Sequence, residues 1–126
     1  MDLKTYFETT AGTGILATAN SEGAVDIAVY ASPHVIDNQT VAFIMRDRLS
    51  HHNVQSNPQA AYLFLEAGEG HQGKRLYLTC TGEETDPERI ASLRRRSSPD
   101  KHPDEKKFLV SFRVDKVLPA VATEPH

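Results

Sequence analysis

At 126 residues the chain is the size of one domain, and a chain of this length buries roughly two thirds of its unfolded surface in a single core. Lys and Arg number 14 against 17 Asp and Glu, a formal charge of −3, so the broad positive field that a generic nucleic-acid binder needs is missing. No apolar run approaches the roughly 20 residues of a membrane helix, Met1-Asp2-Leu3-Lys4-Thr5 lacks an apolar signal core, and the lone Cys80 excludes an internal disulfide, so a soluble protein of the reducing cytoplasm is expected.

Leu3, Tyr6 and Phe7 recur at i, i+3 and i+4, the stripe of a short amphipathic helix between Asp2 and Thr10 that Ala11-Gly12-Thr13-Gly14 ends. Ile15 to Ala19 reads as a strand, Asn20-Ser21-Glu22-Gly23 as a turn and Ala24 to Ser32 as the returning strand, where Val25, Ile27 and Val29 alternate with Asp26 and Ala28. After Pro33 and a second turn at Asp37-Asn38-Gln39, the β-branched and bulky residues of Thr40 to Met45 form a third strand. Ser50 to Asn57 begins on a residue type that caps helices and stops at Pro58, which gives a helix of about two turns.

Ala60 to Glu66 is a fourth strand, so apolar that it must be buried on both faces or closed into a barrel. A glycine-containing loop follows from Ala67 to Lys74. Arg75 to Glu83, a fifth strand, alternates Leu76, Leu78 and Cys80 against Tyr77, Thr79 and Thr81. A capping acid at Asp86 and a first-turn proline at Pro87 precede a helix from Arg89 to Arg96. Ser97 to Glu105 is a polar loop, and Phe108 to Val114, continuing toward Leu118, is the sixth strand. Residues 121–126 are a loose tail. Helices between strands three and four and between strands five and six leave little room for βαβ crossovers. A single mainly β domain over 1–126, built as a closed or split antiparallel barrel, is the economical architecture.

The densest chemistry lies in Arg46-Asp47-Arg48-Leu49-Ser50-His51-His52-Asn53, where a strand ends and a helix begins. Guanidiniums, a hydroxyl, imidazoles and an amide gather at a helix N-terminus, whose free N–H groups and dipole favour an anion, phosphate above all. The plainer alternative makes Arg46 and Arg48 solvated charges at a strand end and Ser50 an exposed cap. His51 and His52 point about 100° apart on a helix and lack a partner at i+4, which argues against a metal. His34, His71, His102 and His126 fall in expected loops or the tail. Arg94-Arg95-Arg96 complements a helix C-terminus, and Cys80 reads as a small core residue. Hydrolase elbows and Walker loops are missing.

Three stretches, in this order and spacing, resemble the FMN-binding split-barrel superfamily, the pyridoxamine 5′-phosphate oxidase-like proteins: Gly14 to Gly23; Val41 to Arg46 followed by Ser50 to Pro58; and Ala60 to Leu65. The resemblance covers nearly the whole chain. It implies a six-stranded antiparallel split β-barrel of Greek-key type with a few short helices. It also implies FMN bound non-covalently at a homodimer interface, its phosphate at the Arg46 to Asn53 turn, including Arg48, Leu49, Ser50 and His51. Ala28, Val29 and Tyr30 would lie beside the flavin ring, and Met45 and Arg46 near the ribityl chain. Where many relatives carry Lys in the phosphate turn this chain has Leu49-Ser50, so Arg46, Arg48 or His51 supplies the charge.

The function so implied is an FMN-dependent oxidoreductase or electron-transfer protein with a small-molecule or protein redox partner. The longer C-terminal segment with which the true oxidases hold pyridoxal phosphate is absent, so pyridoxamine 5′-phosphate oxidase activity is not expected. The rival expectations are a non-catalytic module that stores or senses FMN, F420 or haem, and a barrel dimer whose phosphate site has decayed.

Overall fold

The computed structural model describes residues 2–94 and 105–121. The chain runs through α1 (Leu3–Thr9), β1 (Gly12–Ala19), β2 (Val25–Val29), β3 (His34–Asp37), β4 (Thr40–Arg46), α2 (Leu49–Ser56), β5 (Gln59–Glu66), β6 (Gly73–Glu84), α3 (Pro87–Leu93) and β7 (Lys107–Pro119). The seven strands form one sheet in the order β2-β1-β5-β6-β7-β4-β3, each neighbouring pair antiparallel.

The expected six strands are therefore seven among the described residues. His34, expected in a loop, starts β3, a four-residue edge strand that pairs only with β4. β2 stops at Val29 rather than Ser32. The Arg95 and Arg96 end of the third helix, His102, most of the Ser97 to Glu105 loop, and residues 122–126 with His126 lie outside the described residues.

The β1–β2 hairpin follows from its turn chemistry. Asn20 Oδ1 accepts from the N–H groups of Glu22 and Ala24, and Gly23 takes φ +85°, which a side chain would resist. α1 starts as its sequence suggests, with Asp2 accepting from the N–H of Lys4 at 3.1 Å, and Asp86 caps α3 through the N–H of Glu88 at 3.0 Å.

The sheet curls round its core. Leu16 of β1, Val41, Phe43 and Met45 of β4, Tyr62 and Phe64 of β5, Leu76 and Leu78 of β6, and Phe108, Val110 and Phe112 of β7 point into one interior, and Leu3 and Phe7 of α1 pack with them. The sheet's two ends meet at Tyr30, just after β2. Its ring packs edge-on against Phe43 at 5.7 Å, and its carbonyl accepts the Tyr62 hydroxyl at 3.0 Å. Gly14 makes room for the Tyr62–Tyr30 bond, because a Cβ there would overlap the Tyr62 hydroxyl and press on the Tyr30 carbonyl. α2 packs against β1, β2 and β4 and so bridges the split between the sheet ends. On the outer face, Ile90 of α3 covers Ala42 and Leu109.

Three exposed carboxyls are held below the ordinary aspartate value of 3.8: Asp2 chiefly by the Thr5 hydroxyl, Asp37 by the N–H of Gln39, and Asp115 by the Thr79 hydroxyl and then Arg113. The unfolded chain binds protons at these sites more readily, so their stabilisation is present above 3.8 and is lost as pH falls through the lower folded values. The Asp2→Asn, Asp37→Asn, Asp115→Asn triple variant should be less stable than the parent at neutral pH. Urea midpoints of the two should converge as the pH is lowered below 3.8, and a gap independent of pH would contradict the assignment.

Candidate functional site

The Arg46 to Asn53 turn lies where β4 hands over to α2, and two of its expected site residues, Arg46 and Ser50, converge on Tyr30. Tyr30, in the sheet-closing position, has the Ser50 side chain and the Arg46 guanidinium near its hydroxyl. Burial pushes the Tyr30 phenol up from its ordinary value, while Ser50 and Arg46 pull the other way. Tyr30 is therefore a neutral hydroxyl at working pH.

Ser50 corrects the sequence reading. It is neither an exposed cap nor exposed at all: only 4% of it is accessible, and the residue that caps α2 is Arg48, whose carbonyl accepts the His52 N–H at 3.1 Å. No side chain caps this helix start. The reason is that the helix cap falls two residues earlier than its composition suggests, at Arg48 rather than Ser50, which places Ser50 within the first turn near Tyr30 instead of over the free N–H groups.

Arg46 and Arg48 point at one place. Arg46 Nη1 lies 3.3 Å from Glu105 Oε2, and Arg48 Nη2 lies 2.8 Å from Glu105 Oε1. A single oxyanion thus spans both guanidiniums, the arrangement a phosphate would need, so the donor set fits a phosphorylated cofactor without the lysine that many relatives carry. Leu49 is exposed beside them.

His51 serves a different set of partners. Its ring stacks on Phe108 at 3.8 Å and is almost wholly buried, with Nε2 2.8 Å from Glu83 and Nδ1 3.4 Å from Asp47. Asp47 also reaches His52 Nε2 at 2.9 Å. Asn53, equally buried, donates to the Thr18 hydroxyl at 3.0 Å and ties α2 to β1. Met45 lies fully inside the core, one residue before Arg46. On β2, Ala28 is half-buried while Val29 is 75% exposed, in line with exposed Ile27 and Val25. Glu83 and Glu105 are the site residues that sequence reasoning missed, since each belongs to a strand or loop far along the chain. Cys80 is half-buried against the core, and burial raises its thiol, so it stays protonated and inert, as expected of a packing residue. No cluster able to hold a metal ion occurs among the described residues, and none of their helices is long and apolar enough to cross a membrane.

An antiparallel sheet curled to meet itself at Tyr30, with α2 across the split, is the split barrel of the pyridoxamine 5′-phosphate oxidase-like proteins. Solved structures share it. An FMN-binding protein from Syntrophomonas wolfei subsp. wolfei matches with a TM-score of 0.77 over 96% of this chain and 85% of its own, at 17% identity. HutZ, the haem storage protein from Vibrio cholerae, matches at 0.70 over 94% of this chain and 95% of its own, at 14% identity. An F420 reductase matches at 0.66 over 94% and 98%, again at 14% identity. No family model matches the chain, and neither does any curated protein sequence.

Proposed function

We propose that this protein is a small cytoplasmic flavoprotein that binds FMN non-covalently at a homodimer interface and passes reducing equivalents to a small-molecule or protein partner. The observation that carries the reading is the convergence of Arg46 and Arg48 on one oxyanion, next to Tyr30 and Ser50, at the start of α2. FMN supplies the redox chemistry when bound. The chain's own groups hold and orient it: the two guanidiniums take the phosphate, and β2 lends an apolar wall.

The homodimer is supported by that wall. Val25, Ile27 and Val29 are 81%, 69% and 75% exposed, and Leu49 at the start of α2 is also exposed, at 57%. A β-branched stripe in water is the kind of surface that a second copy covers. The fold likeness to an FMN-binding protein supports the cofactor. The likeness to a haem storage protein favours a second reading, a module that holds its cofactor without turnover.

An absorption spectrum before and after incubation with FMN and desalting, paired with a sizing column, tests the proposal. A retained flavin spectrum on a dimer is expected. A protein that keeps no FMN would sink the flavoprotein reading. Oxidation of NADH or NADPH by the loaded protein then separates the two readings, since a storage module shows none.

A further inference from the structure

We propose that Glu105 is a built-in competitor for the cofactor's phosphate. Its carboxylate holds the anion position between Arg46 and Arg48, and a phosphate gains both guanidiniums only when that carboxylate leaves. The inference rests on the reading of the Arg46 to Asn53 turn as a phosphate site.

The geometry points to competition rather than to a simple surface ion pair. Each carboxylate oxygen of Glu105 addresses a different arginine, Oε2 to Arg46 at 3.3 Å and Oε1 to Arg48 at 2.8 Å, so the group bridges them as one oxyanion. Two oxygens of a phosphate would have to take the same two positions. Charge points the same way. While Glu105 is seated, its carboxylate lies where the phosphate dianion would lie and repels it, although Lys107 Nζ, 3.3 Å from the Glu105 carbonyl, adds a third cation beside the two arginines. Asp47 cannot take over the role, because its carboxylate is drawn to the imidazoles of His51 and His52.

Release of Glu105 from the two arginines leaves the sheet in place. Its backbone is fixed just ahead of β7: its carbonyl accepts Lys107 Nζ at 3.3 Å, and Lys107 is paired with Arg46 in the sheet. Its side chain is one-third exposed, and Arg48 is more open still, so water screens the bridge. A side-chain rotation therefore vacates the position without any change in the sheet. The apparent affinity for a phosphorylated ligand is the intrinsic affinity reduced by the fraction of molecules in which Glu105 has swung away.

The test is Glu105→Gln, which keeps the shape and removes the charge, with FMN and riboflavin as probes in fluorescence-quenching titrations of flavin-free protein. Riboflavin has the same ring and no phosphate. Parent protein should prefer FMN over riboflavin. Glu105→Gln should bind FMN about fivefold more tightly, the scale of one exposed ion pair, and riboflavin as the parent does. Less inorganic phosphate should then suffice to occupy the site of the flavin-free variant. Glu105→Asp, too short to bridge both arginines, should fall between parent and Gln. An FMN affinity unchanged or weakened in Glu105→Gln, with the parent still preferring FMN, would overturn the competition and show Glu105 to be an organiser of the two arginines. Equal binding of FMN and riboflavin by both proteins would overturn the phosphate site itself, and this inference with it.

Discussion

Gly14→Ala should destabilise the protein by roughly 3 kcal/mol, combining overpacking with the loss of a buried hydrogen bond. The added methyl would land on the Tyr62 hydroxyl and its ring carbon, and against the Tyr30 carbonyl. Gly14 also accepts the Tyr30 N–H at 3.0 Å, so three elements are locked at this point and none can yield independently. Moving the Tyr62 ring breaks its bond to the carbonyl of Tyr30, the residue whose ring packs across on Phe43 of β4. With a urea m-value of about 2 kcal/mol per molar, the midpoint should fall by about 1.5 M. Tyr62→Phe alone should cost about 1 kcal/mol. The double variant should lose less than the sum, because the hydroxyl in the way is then gone. Strict additivity would show that the clash is relieved elsewhere.

Arg46→Ala combined with Ser50→Ala should weaken FMN binding by roughly 10²–10³-fold. A hydrogen bond to a charged group contributes about 1.5–3 kcal/mol and a neutral one about 1, and every 1.4 kcal/mol is tenfold. Riboflavin affinity should stay near that of the parent, since both residues face the phosphate end of the proposed site. Ser50 is buried beside Tyr30, so its loss also leaves a small gap in the packing there. A urea midpoint measured alongside separates that structural effect from the binding one. Unchanged FMN affinity would refute the placement of the phosphate at this turn.

The fold was legible where local chemistry and periodicity agree. Asn20-Ser21-Glu22-Gly23 specifies its own turn through the Asn20 side chain and a left-handed glycine, and Asp86-Pro87 specifies the start of α3. β3 was not legible: His34 to Asp37 is four residues long, follows a proline and exposes Ile36 and Asp37, so no hydrophobic run marks it. The site was legible as a cluster but not as a geometry. That Ser50 faces Tyr30, that His51 lies on Phe108 and against Glu83, and that Glu105 bridges two arginines depend on contacts 20 to 59 residues apart in the chain. Sequence periodicity describes which face a residue occupies within its own element, and it carries no record of which distant element will cover that face.

Among the described residues β2 is an outer strand of the sheet, hydrogen-bonded to β1 alone. No described strand lies along its far side, and Val25, Ile27 and Val29 stand exposed on it with Asp26 the single charge of the strand. Edges of this make-up, short of lysine, proline and bulges, are templates for adding another strand. The protein's colloidal behaviour is thereby tied to its own concentration and to whatever covers that edge. Left uncovered, such an edge is a template for association between copies, so substitutions that add charge to it should raise solubility without altering the core.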